Sequence, residues 1–270
     1  MPLTDLIRYF NTADQSGDTT LYSEGGRAAA WHRGLRLTSL FRPIVQLREE
    51  TIVGHHADLA IRTDDGAAAT VADAYAACET PEAIVHFDRL CRTLHALNFL
   101  AQQRHTGGYL QMSVHPRHVQ AVTNQHGLVY EAILKRCGLA PQDIVLHVDI
   151  GSLPQTPARL AEALTNYRQR GYRLALAGIG GTIAFAPDIR QALTLDEAVR
   201  GRRDASDGTL IELRGIDDGL TYEQARAAGI DLGQGNLFGA FQTECCPTHD
   251  QRRVAYNSAS SFGAAHENRQ

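Results

Sequence analysis

Lysine is almost missing: of 26 basic residues in 270, only Lys135 is a lysine and the rest are arginines, so chemistry that needs a lysine has one candidate. An excess of basic charge is missing too. With 30 acidic residues the formal charge is -4, which argues against an affinity for nucleic acid or anionic membrane built on phosphate neutralisation. Cysteine is scarce and odd in number: Cys78, Cys91, Cys137, Cys245 and Cys246 contain no Cys-x-x-Cys pair, which excludes a secreted disulfide framework and a zinc knuckle. No apolar run approaches the roughly 20 residues that cross a bilayer. Asp5, Arg8 and Asp14 interrupt the stretch where a signal peptide keeps its apolar core. The expectation is a cytoplasmic protein that contacts neither membrane nor nucleic acid directly.

What is present is a globular composition, 43% hydrophobic and 21% charged, long enough for one large domain or two small ones. Leu3 to Phe10 has the spacing of a short helix, and Ala13 to Gly26 reads as a polar connector. Leu37 to Leu47 reads as a strand, and Pro43 within it favours an edge or first position because proline lacks the ladder donor. Thr51 to Ala60 reads as extended. Thr80-Pro81-Glu82 starts a helix whose apolar stripe is Ile84, Phe87, Cys91, Leu94, Leu97 and Leu100. Strands follow at Tyr109–Val114, Ile144–Ile150, Arg173–Ala177 and Leu210–Leu213, with helices at Tyr130–Cys137 and Thr156–Arg170 between them. Thr221 with Gln224 reads as a capping box for a last helix closed by Gly229. This alternation predicts an α/β fold of parallel βαβ units, enough for a closed (β/α) barrel, with a doubly wound open sheet as the alternative. No phosphate-binding glycine signature opens any helix, which disfavours the open sheet. The chain divides into a helix and connector over 1–36, a barrel over 37–242 and a mobile tail over 243–270.

Several segments, in this order, resemble the EAL domain family: Phe41-Arg42-Pro43-Ile44-Val45, Ile52-Val53-Gly54-His55-His56-Ala57, Asp88-Arg89-Leu90-Cys91, Gly171-Tyr172-Arg173-Leu174-Ala175-Leu176 and Gly233-Gln234-Gly235-Asn236-Leu237-Phe238-Gly239. The last is the most specific. The resemblance implies a TIM-like (β/α) barrel modified in its first strands. Its active members hydrolyse cyclic di-GMP with divalent metals held by carboxylates at the C-terminal ends of the strands.

Carried over position by position, the resemblance places His56 where the family has the glutamate of Glu-Ala-Leu, followed by Ala57, Asp58 at the third motif place, and Ala60 at the phosphate-contacting arginine. Ser113 takes the place of the metal-binding asparagine, His147 that of the next strand's glutamate, and Ala177 with Gly178 that of the paired aspartates. Arg214 and Asp217 stand at the two acids of the late Glu-Gly-Val-Glu segment. Two neighbouring hard dications need several carboxylates to offset their repulsion, and one aspartate does not provide them. The water-positioning lysine of the family has no counterpart after Lys135. The expectation is a chain with no catalytic residues, no metal and no cofactor: an inactive relative of the phosphodiesterases. Arg42, Asp217 and Gln234 are the candidates for a vestigial ligand site, with cyclic di-GMP binding weak or absent. Family members eroded in this way act as interaction modules, including on transcription and motility regulators, so an unidentified protein partner is expected. A binding sensor without hydrolysis and an enzyme of residual activity are the alternatives.

The segment from Gly181 to Gly215 is short for the family and reads as a trimmed strand-helix unit, the loss of the strand itself being left open. His56, His147 and Asp217 also admit a softer zinc site, against which stands the plainer reading of polar mouth residues. Gly178-Ile179-Gly180-Gly181 reads as a loop rather than a phosphate cradle. His115 and His118 read as a surface turn or helix start, Arg168, Arg170 and Arg173 as solvated faces, and Cys245-Cys246 as part of the tail.

Overall fold

A computed structural model describes residues 2–13, 19–102, 107–122, 127–151, 157–178, 185–205 and 208–247. The chain opens with α1 (Leu3–Ala13), β1 (Thr19–Glu24), β2 (Arg27–His32), β3 (Leu35–Gln46), β4 (Thr51–Thr63), β5 (Ala68–Ala69), α2 (Val71–Ala76) and α3 (Pro81–Gln102). Then strands and helices alternate: β6 (Tyr109–Ser113), α4 (Pro116–Ala121), α5 (Leu128–Cys137), β7 (Ile144–Asp149), α6 (Pro157–Gln169), β8 (Arg173–Ala177), β9 (Ile189–Ala192), α7 (Leu195–Asp204), β10 (Leu210–Arg214), α8 (Gly219–Ala227) and β11 (Leu232–Gln234). β4, β6, β7, β8, β9, β10 and β11 pair in parallel in that order, and β3 lies antiparallel between β11 and β4, closing a barrel of eight strands. The open sheet is excluded. The stretch between Gly181 and Gly215 supplies both β9 and α7, so its shortness removes no strand from the ring.

Three local readings are corrected. The connector over 13–26 contains β1, which pairs with β2, and β2 pairs in turn with the first half of β3. Short, half-buried strands with mixed side chains gave no alternation to read. Of the two places read for Pro43's strand, β3 takes the first in the ring and not an edge, because Val45 and Gln46 pair with β11 while Leu35–Gln46 runs along β4. Pro43 fits there because its missing donor falls in the gap along β3 between β2 and β11. The neighbouring Phe41 uses that same side to exchange hydrogen bonds with Gln242, at 2.7 and 3.0 Å. Finally, the last helix is capped by Asp218, whose carboxylate accepts from the Thr221 N–H at 2.8 Å, so Thr221 lies inside the helix instead of starting it.

α3 follows its sequence reading, with Thr80 Oγ1 accepting from the Ala83 N–H at 3.1 Å. It is buried on more than its apolar stripe because the β1–β2 hairpin covers its far side. There the Asn98 side chain bonds both the N–H and the C=O of Ala28 at 2.8 Å. Among the described residues no helix is long and apolar enough to cross a membrane.

One glycine carries a strong steric demand. Gly108 leads into β6 with φ of +78°, and a Cβ there would lie 2.2 Å from the carbonyl oxygen of Val53. Gly108→Ala is expected to lower stability by about 3 kcal/mol, read as a lower urea midpoint with an unchanged slope.

The candidate site at the mouth of the barrel

Inward positions fill the barrel in layers. The lowest is apolar: Ile44, Tyr109, Val145, Ala175, Ile189 and Leu232 form one cluster, and Arg173 lies over the Tyr109 ring at 4.3 Å, so it is not a solvated arginine. Above it Gln111 on β6, Gln191 on β9 and Glu212 on β10 point inward, and Gln234 ends β11. Glu212 is completely buried. Its carboxylate accepts from Gln111 Nε2 at 2.8 Å, from Gln191 Nε2 at 3.0 Å, and from Gln234 Nε2. Three amide donors hold in place a charge that would otherwise be costly to bury. None of the three residues joining Gln234 in this hub is singled out by the sequence reading. For Gln111 and Glu212 the available signal was a polar side chain at an inward place in a mostly apolar strand.

The hub continues upward. Gln111 Oε1 accepts from His56 Nδ1 at 2.8 Å, which leaves the Nε2 of His56 as the unprotonated nitrogen. His147 is held by Ser113, with Oγ 3.2 Å from Nδ1, and its ring lies 6.3 Å from that of His56. Burial, with Arg214 as a second cause, pushes His56 down to about 4. Burial, with His56 and Arg214 adding to it, pushes His147 down to about 3. Both imidazoles are therefore neutral at neutral pH.

At the rim, Arg42 donates from Nη2 to Asn236 Oδ1 at 2.9 Å, and the Asn236 N–H donates to Asp217 Oδ1 at 2.6 Å. Burial lowers the pKa of Arg42, partly offset by Asp217. Phe241 closes the space between these groups: its ring is 5.8 Å from the His56 ring and 4.3 Å beneath the Arg42 guanidinium carbon. The sequence reading missed Phe241, which no spacing signalled. Asp58 is exposed and accepts from the Leu59 N–H, while Ala60 offers its carbonyl to Thr38 at 3.5 Å. Ala57 points the other way, into the core beneath the helices.

At the end of β8, Ala177 is buried and Gly178 has φ of +69°. A Cβ on Gly178 would lie 2.6 Å from the Gly151 nitrogen and 2.8 Å from Asp149 Oδ1. The rest of the glycine loop, from Ile179 to Gly181, lies outside the described residues.

The structure thus brings Arg42, His56, Ser113, His147, Ala177, Arg214 and Gln234 to one mouth and turns Asp217 toward Asn236. A pair of hard dications does not fit this donor set. Two imidazoles are pinned by Gln111 and Ser113, Arg42 and Arg214 add positive charge, and Glu212 is committed to three amides one layer below. The zinc reading fails on the same geometry: Asp217 does not join the two histidines, and no cluster of three His, Cys, Asp or Glu suited to a metal occurs among the described residues.

Two further readings change. His118 is buried, with Nδ1 3.2 Å from Asp88 Oδ2, whereas His115 is the N-cap of α4 and stacks on Tyr75 at 3.7 Å. The tail beyond 242 begins as packed structure: the Cys245 N–H donates to Gln102 Oε1 at 2.7 Å and the Cys246 N–H to His55 Nε2 at 3.0 Å. Residues 248–270 lie outside the described residues.

Comparison with known proteins agrees with this architecture. BlrP1 of Klebsiella pneumoniae, solved with manganese and cyclic di-GMP, shares 17% identity over 76% of this chain and 56% of that chain, with a TM-score of 0.60. The Bacillus subtilis YkuI protein, which has an EAL domain and was solved with cyclic di-GMP and calcium, shares 15% identity over 81% of this chain and 59% of that chain, at 0.64. A standalone EAL protein of Vibrio cholerae in its cyclic di-GMP-bound form shares 16% identity over 78% of this chain and 94% of that chain, at 0.57. This chain therefore spans less than two thirds of the first two. No curated protein sequence matches it. The EAL domain family itself matches over residues 28–189, more than half of the chain. On that match and the barrel described above, the chain belongs to the EAL domain family.

Proposed function

We propose that this chain is a catalytically inactive EAL domain that works as a regulatory protein–protein interaction module, its partner of the kind formed by transcription or motility regulators. The observation that supports this most is the mouth itself. Where the resemblance expects acids and an asparagine it has His56, Ser113, His147, Ala177, Gly178 and Arg214, and Phe241 packs into the space above them. The test is co-purification of the tagged chain from native lysate, set beside calorimetry with cyclic di-GMP. A stable protein partner with flat calorimetry is the expected result. Tight nucleotide binding with no partner would overturn it.

A second reading, a sensor that binds cyclic di-GMP without hydrolysis, draws on Arg42 and Arg214. Arg214 has no ion-pair or hydrogen-bond partner among the described residues. An arginine pairing with phosphate is worth about 1.5–3 kcal/mol, so Ala60 at the family's arginine place is expected to weaken binding roughly ten- to a hundredfold. A low-micromolar constant abolished by Arg42→Ala would favour the sensor.

A further inference from the structure

The arc of the mouth formed by the ends of β9, β10 and β11 and by β3 lies wholly among the described residues. It carries two arginines that the fold leaves without a counter-ion. Arg214, half-buried at the end of β10, has no ion-pair or hydrogen-bond partner among the described residues. Arg42 gives Nη2 to Asn236 at 2.9 Å, while its Nε is buried with no partner. The two are close enough to act on each other: the pKa of Arg42 is lowered by burial first and, against the pull of Asp217, by the charge of Arg214. Like charges held together in a half-buried place are costly unless an anion joins them. The acids nearby are engaged elsewhere. Asp217 accepts from the Asn236 N–H at 2.6 Å, Asp58 from the Leu59 N–H at 2.8 Å, and Glu212 from three amides below.

The rim beside these arginines is apolar. Leu193 and Leu220 are 65% and 70% exposed, more than any other large apolar side chain among the described residues. Ala192 pairs with Leu213 on the last rung between β9 and β10, so Leu193 and Arg214 leave the sheet together, and Leu220 lies in the first turn of α8, the helix that follows β10. Exposed leucines flanking an unpaired arginine have the make-up of a protein interface, where arginine anchors sit among apolar contacts. They also decide the kind of anion. A free ion would leave both leucines in water, and with Asp58, Asp217 and Glu212 close by the arginines hold no surplus charge for a dianion. A carboxylate carries one charge, matches the planar guanidinium with paired hydrogen bonds, and comes attached to a chain that covers the leucines.

Resting on the interaction-module reading, we propose that the protein partner docks on this arc with an acidic loop, an aspartate or glutamate carboxylate pairing with Arg214 and Arg42 and its apolar neighbours covering Leu193 and Leu220.

The test is an NMR titration of the full chain, read at the Arg42 and Arg214 side-chain N–H signals, with the end-blocked peptide Leu-Glu-Glu-Leu, its Leu-Gln-Gln-Leu counterpart and inorganic phosphate. Expected is a saturable shift with the glutamate peptide, its affinity roughly tenfold or more above that of the glutamine peptide and of phosphate. Arg214→Gln is expected to weaken the glutamate peptide roughly tenfold and Leu220→Ser, at a mostly exposed side chain, roughly fivefold, each with the native amide spectrum elsewhere. No saturable shift, equal affinity for the two peptides, or phosphate binding as tightly as the glutamate peptide would each overturn the proposal. Co-purification separates it from the reading it rests on: a partner held equally by wild type and Arg214→Gln overturns the docking proposal alone, whereas no partner for the wild type overturns both.

Discussion

Urea titrations at pH 7.5, 6.5 and 5.5 are expected to show stability falling steeply with acid. Burial is the main cause holding His55, His56 and His95 down at about 4 and His147 at about 3. In the unfolded chain each returns to about 6.5. Above pH 6.5 both states are neutral and these groups contribute nothing. Between pH 6.5 and about 4 the unfolded chain takes up four protons that the native chain refuses, so native stability drops as pH falls. Each histidine contributes about 1.4 kcal/mol per pH unit, and four together about 5.5 kcal/mol. That is of the order of the whole stability of a typical domain, about 5–15 kcal/mol. His147→Gln is expected to flatten the slope by about a quarter. A stability level from pH 7.5 to 5.5 would refute the neutral, buried state of these rings.

Cyclic di-GMP incubated with the purified chain and Mg²⁺ or Mn²⁺ is expected to remain intact at the rate of a buffer blank. The single substitution His56→Glu is expected to leave it intact as well. Metal pairs need their ligand set and its supporting contacts together, and one carboxylate beside Arg42 and Arg214 does not assemble them. Gly178 adds a backbone obstacle: an aspartate there would need a left-handed backbone and would drive its Cβ against Gly151 and Asp149. Replacing all the altered positions by acids therefore still leaves a strained, crowded backbone at Gly178. Turnover that disappears on Asp217→Ala, or activity recovered by His56→Glu alone, would contradict this.

The barrel was legible because its strands carry continuous apolar runs between periodic helices, and the bounds of β8 fall at Arg173 and Ala177 as read. β9 was not legible: Ile-Arg-Gln-Ala is four residues long and only half apolar, and the parallel neighbours β8 and β10 define it more than its own pattern does. The hairpin β1–β2 was hidden for the same reason, its order coming from α3 through Asn98. At the site, the altered motif positions could be read one by one from the sequence. The hub of Gln111, Gln191, Glu212 and Gln234 could not, because it joins four strands that only closure of the ring brings together. His118 likewise looked like surface until Asp88, 30 residues earlier, was seen beneath it.

The seam along β3 has a mechanical consequence. Phe41 and Gln242 exchange two hydrogen bonds, and Gln242 directly follows the Phe241 whose ring fills the mouth. Beyond it, Thr243 and Glu244 are tied to Arg27, and Cys246 to His55. Displacing residues 242–246 from Phe41, Arg27, Gln102 and His55 would carry Phe241, one residue earlier, away from Arg42 and His56. Amide exchange at Phe41 and Gln242 is expected to report on how firmly this closure is held.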